Sequence, residues 1–263
     1  MDLGLKDKCA LVTGASRGLG YATAETLARE GCRVAINSRD AGNIASAAEK
    51  IGKAAGSKAV GLAGDVTDAD FAQKLIQQTA EALGGLELLV TNAGGPPVGP
   101  FESFDEAAWR KAVDLSLMCH VRLIRAALPH LRKSKAASVL TVTSYSTKQP
   151  IPNLVLSNSI RAATVGLTKS LALELGKEGI RFNSILPAWT ETERVIEIMA
   201  ARAKANNSTI EEETDRQSRE SPLGRMGHPQ EFANAAAFLL SPAASYITGV
   251  MLTVDGGMYN GTL

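Results

Sequence analysis

The stretch from Cys9 to Gly31 constrains what this chain can fold into more than any other. A short apolar strand, Cys9-Ala-Leu-Val-Thr13, breaks into Gly14-Ala-Ser-Arg-Gly18-Leu-Gly20 and then into an alanine-rich helix. A strand that turns into a helix through three glycines is a phosphate cradle. The backbone must turn tightly, and a side chain would hold the main chain away from a pyrophosphate seated on the helix N-terminus. The free N–H groups and the positive end of the helix dipole then do the binding. The spacing, Gly-x-x-x-Gly-x-Gly, differs by one glycine from the common dinucleotide fingerprint, so alone it is a weak signal.

The totals narrow the field. At 263 residues the chain suits one large α/β domain or two small ones and can bury a sizeable core. With 28 Lys and Arg against 27 Asp and Glu there is no basic surplus to attract nucleic acid or an anionic membrane, which leaves small soluble ligands as the expected partners. Cys9, Cys32 and Cys119 lack metal-ligand spacing and read as buried thiols in a reducing compartment; no metal site is expected. The segment Met1 to Lys8 has no signal-peptide apolar run and no stretch approaches membrane-spanning length, so the expected location is cytoplasmic.

Along the chain, strands are expected at Arg33–Asn37, Lys58–Ala63, Leu86–Thr91, Ser138–Thr143, Arg181–Leu186 and Val250–Val254. Helices are expected at Ala41–Ala55, Ala69–Leu83 with Thr67 and Asp68 as caps, Phe104–His130, Ser159–Gly176 and Pro229–Leu240. Leu86 to Thr91 is an almost unbroken apolar run, the mark of a strand covered on both faces. The alternation predicts a single-domain, Rossmann-like, doubly wound parallel sheet of about seven strands. From about 191 to 219 the chain is charged and alanine-rich and follows a strand end, where open sheets bind ligands. It reads as a helical lid over the substrate side, with a merely solvated excursion as the alternative.

Taken together, Thr13-Gly-Ala-Ser-Arg-Gly-Leu-Gly20, Asp65-Val66, Asn92-Ala-Gly94, Pro187 and Val254-Asp-Gly-Gly257 make the chain resemble the short-chain dehydrogenase/reductase family over nearly its whole length, with the general look of its 3-oxoacyl-carrier-protein reductases. The resemblance implies a dinucleotide held by Gly14, Ser16, Arg17, Gly18, Leu19 and Gly20. It places Asp65 and Val66 at the adenine, Asn92, Ala93 and Gly94 at the ribose, and Pro187, Thr190 and Thr192 at the carboxamide and pyrophosphate; Ala188 stands where a glycine is usual. At the end of the second strand an NAD enzyme needs an acid for the ribose 2′-hydroxyl. This chain has Asn37-Ser38-Arg39, and Arg39 with Arg17 can clamp a 2′-phosphate, so the expected cofactor is NADP(H). A homotetramer or homodimer built on the two long helices is implied in the same way.

The catalytic positions depart from the pattern. The family delivers hydride to a carbonyl while a tyrosine protonates the oxygen, a lysine four residues on tunes the tyrosine, a serine binds the carbonyl and an asparagine supports a water chain. Here Ser144 is in place, but Tyr-x-x-x-Lys has become Ser157-Asn-Ser-Ile-Arg161 and Ser116 stands at the asparagine. Arg161 can keep the ribose-binding role, while Ser157 cannot copy a phenol, whose ordinary pKa of about 10 can be tuned toward neutrality. Tyr145 is a candidate replacement donor against a packing role, and Lys148 a weaker one; His120, near the expected subunit contact, and the other histidines receive no role. Trp109 reads as core and Trp189 as either core or pocket wall. The leading expectation is an NADPH-dependent oxidoreductase with Ser144, Ser157 and Arg161 at a carbonyl or hydroxyl substrate, 3-oxoacyl thioesters included. The opposing one is a cofactor-binding partner or scaffold without turnover.

Overall fold

Residues 1–262 are described in a computed structural model, in which the alternating elements form one seven-stranded, fully parallel sheet. The strands are β1 (Cys9–Val12), β2 (Arg33–Ser38), β3 (Ala59–Ala63), β4 (Leu88–Thr91), β5 (Ser138–Val142), β6 (Arg181–Pro187) and β7 (Met251–Val254), and they run in the order β3-β2-β1-β4-β5-β6-β7. The order reverses between β1 and β4. At such a point the connections leave in opposite directions and open a crevice at the strand C-termini.

Period-two alternation divides the core. Ala10 and Val12 of β1, Val34 and Ile36 of β2, Leu88 and Val90 of β4 face one layer, made by α1 (Gly18–Arg29), α2 (Ala41–Ala55) and α9 (Pro229–Leu240). Leu11, Ala35, Leu89 and Val139 face the other, where α3 (Phe71–Leu83), α5 (Cys119–Leu131) and α6 (Val155–Leu175) pack. Ile36 and Leu89 are fully buried, each a contribution of about 2 kcal/mol by area, and this two-sided burial explains the apolar runs in the sequence.

Three helices start elsewhere than expected. α3 begins at Phe71 because Asp65 Oδ1 takes both the N–H and the hydroxyl of Thr67, and Asp68 Oδ1 takes the Asp70 N–H, which commits the expected caps to turns. α6 begins at Val155, ahead of Ser159, because the Asn158 amide donates to the Ile151 carbonyl and holds the preceding loop on the first turn. The long helix expected from Phe104 is α4 (Glu106–Val113) joined to α5 by a π turn at Asp114–Met118. His120 lies in the core at 1% exposure, not at a contact surface.

The segment about 191–219 forms two helices, α7 (Glu193–Asn206) and α8 (Ile210–Arg219). Their connection is held by Glu213, a buried carboxylate that accepts from Ser208, Asn206 and Arg216 and is held below the usual carboxylate range, by the Ser208 hydroxyl first. Arg202 of α7 sits 4.8 Å from the Trp189 ring and donates to Gln217 of α8, which docks the hairpin on the loop after β6. Among the described residues no helix is long and apolar enough to cross a membrane.

Candidate active site

The cradle is built by β1 and β4 together. Thr13 donates its hydroxyl to the Asn92 carbonyl at 2.7 Å and accepts the Asn92 N–H at 2.9 Å, while the Asn92 amide donates to the Gly14 carbonyl at 3.1 Å. Gly14 has φ +59, and a Cβ there would stand 2.8 Å from the Asn92 carbonyl oxygen; a Cβ on Gly20 would collide with the Gly14 carbonyl. These two glycines let the loop close against β4. Beyond it, Gly94 and Gly95 meet nothing within 4 Å and leave open space, and the first turn of α1 has neither an acidic residue nor a side-chain cap. Its N–H groups are therefore available to an anion.

A cavity of about 1210 Å³ opens here. Gly14, Ser16, Arg17 and Gly18 line it, with Ser38 and Arg39 at one wall, Asp65 and Val66 at another, and Asn92, Ala93 and Gly94 between. Arg122 fixes the Asp65 side, donating to the Thr67 carbonyl and pairing with Asp114 at 2.9 Å. Arg39 is exposed and makes no hydrogen bond or ion pair, and Asp40 beside it spends its carboxylate capping α2, where Oδ1 accepts the Asn43 N–H at 2.7 Å. Asn43, Ser46 and Lys50 of α2 also line this wall. Sequence reasoning missed them; the signal was their i, i+3, i+7 spacing on the helix that follows Arg39.

The adjoining cavity, about 650 Å³, brings Ser144, Ser157 and Arg161 together with Leu19, Pro187, Thr190 and Thr192. The Ser144 oxygen accepts the Ser146 N–H, so its own hydrogen is free to donate. The Ser157 hydroxyl, in the first turn of α6, makes no hydrogen bond. Arg161, one turn on, is 8% exposed and donates to the carbonyls of Val142, Thr143 and Gly94 at 3.1–3.3 Å. A guanidinium has five N–H donors, so this fork clips the end of β5 to the loop after β4 and leaves donors over. Burial pushes Arg161 below the usual arginine range, and among the described residues no carboxylate pairs with it. The carbonyl dipoles hold it cationic.

The surroundings of this cation are neutral. His120 is driven down to about 3 by burial, then by Arg161, and its Nδ1 meets the Thr91 hydroxyl at 2.7 Å. Ser116 lies within the π turn; its carbonyl accepts from Thr164 and its hydroxyl is buried without a partner, as is that of Thr143. Burial pushes the Cys119 thiol up to about 12, and all three cysteines are free and buried. Among the described residues no cluster of three or more His, Cys, Asp or Glu is placed to hold a metal.

Tyr145 enters a short 3-10 turn and packs with Leu186 and Met258 at 6% exposure. Its polar neighbour is the Trp189 indole, whose Nε1 stays short of a hydrogen bond, and burial raises the phenol above its ordinary range. Tyr145 is thus packed against Leu186 and Met258 while also lining the cavity. Lys148 lies 5.1 Å from the Tyr259 ring, Trp189 lines the cavity, and Trp109 packs at the edge of a small cluster with Leu156 and Ile160.

Comparison with known proteins decides the family. Residues 14–259 match a family model described as enoyl-(acyl carrier protein) reductase. The chain is 33% identical to cis-4-hydroxycyclohexanecarboxylate dehydrogenase of Sinomonas cyclohexanicum over 95% of this chain and 96% of that protein. It is a short-chain dehydrogenase/reductase. Another short-chain dehydrogenase/reductase, the 3-oxoacyl-[acyl-carrier-protein] reductase of Vibrio harveyi, is 31% identical over 98% of this chain and 99% of its own. Among solved structures, L-sorbose reductase of Gluconobacter frateurii, complexed with NADPH and L-sorbose, superposes with a TM-score of 0.95 at 29% identity, covering 99% of this chain and all (100%) of that one. The seven-stranded parallel sheet is the family's fold.

Proposed function

We propose that this short-chain dehydrogenase/reductase is an NADPH-dependent carbonyl reductase that stabilises the developing alkoxide with a buried cation in place of a tyrosine acid. The observation that carries the reading is Arg161: a buried guanidinium with no carboxylate partner, sharing a cavity wall with Ser144 and Ser157 beside a glycine cradle. The cradle fits a dinucleotide, since Gly14 and Gly20 admit no side chain and Gly94 and Gly95 open onto empty space. When bound, the cofactor supplies a hydride to the carbonyl carbon.

The remaining work falls to the chain. Ser144 donates its free hydrogen to the carbonyl oxygen, and the positive charge of Arg161 favours the anion that forms there. Spare N–H donors of Arg161 hold the nicotinamide ribose. Ser157, without a partner of its own, hydrogen-bonds the same oxygen or passes it a proton from water. Loss of a positioned acid lowers the rate roughly 10²- to 10⁴-fold, while orientation and electrostatics remain. Gly14, Ser16, Arg17, Gly18, Leu19 and Gly20 receive the pyrophosphate, Asp65 and Val66 the adenine, Asn92, Ala93 and Gly94 the ribose, and Pro187, Thr190 and Thr192 the carboxamide side. The substrate is a small carbonyl or hydroxyl compound, with 3-oxoacyl thioesters as one class to test. The α7–α8 hairpin acts as its lid.

Cofactor choice rests on Arg39, which is free, and on Asp40, which is committed to α2. Arg39→Ala should weaken NADPH binding about tenfold or more and leave NADH binding nearly unchanged, because a charge-assisted bond to the 2′-phosphate contributes roughly 1.5–3 kcal/mol. Equal affinity of the unaltered protein for both cofactors at low salt would contradict this. We further propose a homodimer or homotetramer paired through the α4–α5 and α6 faces, where Leu173 is 72% exposed. Sedimentation as a monomer at micromolar concentration is the contrary result.

A second reading has its own support. Arg181, elsewhere in the fold, also donates to backbone carbonyls, those of Leu239, Leu240, Ser241 and Ile247, as a purely structural clip. On that pattern Arg161 would be a clip as well, and the chain an NADP(H)-binding partner or scaffold without turnover.

A further inference from the structure

We propose that the lid carries carboxylates that stand in for the phosphates of the dinucleotide, so that α7 must release the glycine loop before the cofactor can seat; this rests on the NADP(H) reading above. Arg17, which leads into α1, does not wait free for a phosphate. Its Nη1 pairs with Glu197 of α7 at 3.2 Å, and Glu197 is shared with Arg194 at 3.5 Å. One turn earlier on α7, the Thr192 methyl lies 3.5 Å and the Glu193 carboxylate 3.9 Å from the point where a Cβ on Gly18 would stand.

The positive end of α1, which has no acidic residue or side-chain cap of its own, therefore has a lid carboxylate beside it, and the arginine of the loop has another. Both carboxylates line the cleft. Each occupies ground that a pyrophosphate or a 2′-phosphate seeks for the same reason: a helix N-terminus and a guanidinium attract negative charge. Carboxylate and phosphate cannot share that ground without like-charge repulsion. Cofactor affinity is thus set partly by the charge on the lid, and Glu193 and Glu197 are determinants of cofactor affinity that lie outside the cradle itself.

The test is a fluorescence titration of NADPH into the unaltered protein, Glu193→Gln, Glu197→Gln and the double variant, at low salt and again in concentrated KCl, with amide exchange along α7 in the cofactor-free proteins. The double variant should bind NADPH roughly three- to tenfold tighter at low salt, since exposed pairs and helix-end charges are individually small effects. The difference should narrow as salt screens it. Exchange along α7 should be faster in the double variant than in the unaltered protein. Equal or weaker NADPH binding by the double variant, or unchanged exchange in α7, would overturn the proposal. If no form binds NADPH, the cofactor reading has failed instead, and the exchange data alone still decide whether the two carboxylates hold the lid down.

Discussion

Arg161→Ala should lower NADPH-dependent carbonyl reduction at least about 100-fold, because it removes the buried cation lining the cavity that is proposed to stabilise the developing alkoxide. It should also destabilise the fold by about 2 kcal/mol. Three carbonyls, of Val142, Thr143 and Gly94, lose their donors, and each buried acceptor left unmet costs roughly 1–3 kcal/mol. Relief of burying a lone cation and entry of water into the gap offset part of that sum. Arg161→Lys separates the two contributions: charge is kept, the planar fork is lost, and turnover should recover further than thermal stability does. Rates measured well below the melting temperature, with the folded fraction followed by circular dichroism, make the comparison. Loss of stability with turnover unchanged would assign Arg161 to a structural role alone, as with Arg181.

Ser157→Tyr, with Arg161 retained, should raise the reduction of simple ketones about 10²-fold by supplying a positioned acid. Space exists for it: Ser157 lines the cavity of about 650 Å³ and its hydroxyl makes no hydrogen bond. The sharper signature is in the pH profile. His120, held neutral with its pKa near 3, and Tyr145, raised above its ordinary range, do not change charge near neutrality. Reduction by the unaltered protein should therefore be nearly flat from about pH 6 to 9. The introduced phenol must carry its proton to act, and the neighbouring cation lowers its pKa, so the variant's rate should fall as pH rises through that pKa. A flat profile with no gain would mean the pocket no longer presents a carbonyl to this position.

Much of this architecture was legible in the sequence because local chemistry sets it. The glycine loop, the two-sided apolar strands and the alternation of elements each follow from short-range rules, and the seven parallel strands agree. Non-local polar bonds were not legible. The Arg161 fork reaches carbonyls 18, 19 and 67 residues away, and the Asn158 staple moved the start of α6. The π turn at Ser116 depends on a Thr164 hydroxyl from another helix. The two caps expected at Thr67 and Asp68 failed because the Asp65 carboxylate takes the Thr67 hydroxyl and the Asp70 N–H takes the Asp68 carboxylate.

The decisive measurement is NADPH consumption by the purified protein across keto acids, quinones, sugars and 3-oxoacyl thioesters, with cofactor binding measured in the same samples. Turnover on at least one carbonyl class is expected, nearly independent of pH around neutrality and lost in Arg161→Ala. Tight NADPH binding with no turnover above background on any class would contradict it and leave a cofactor-binding protein without chemistry.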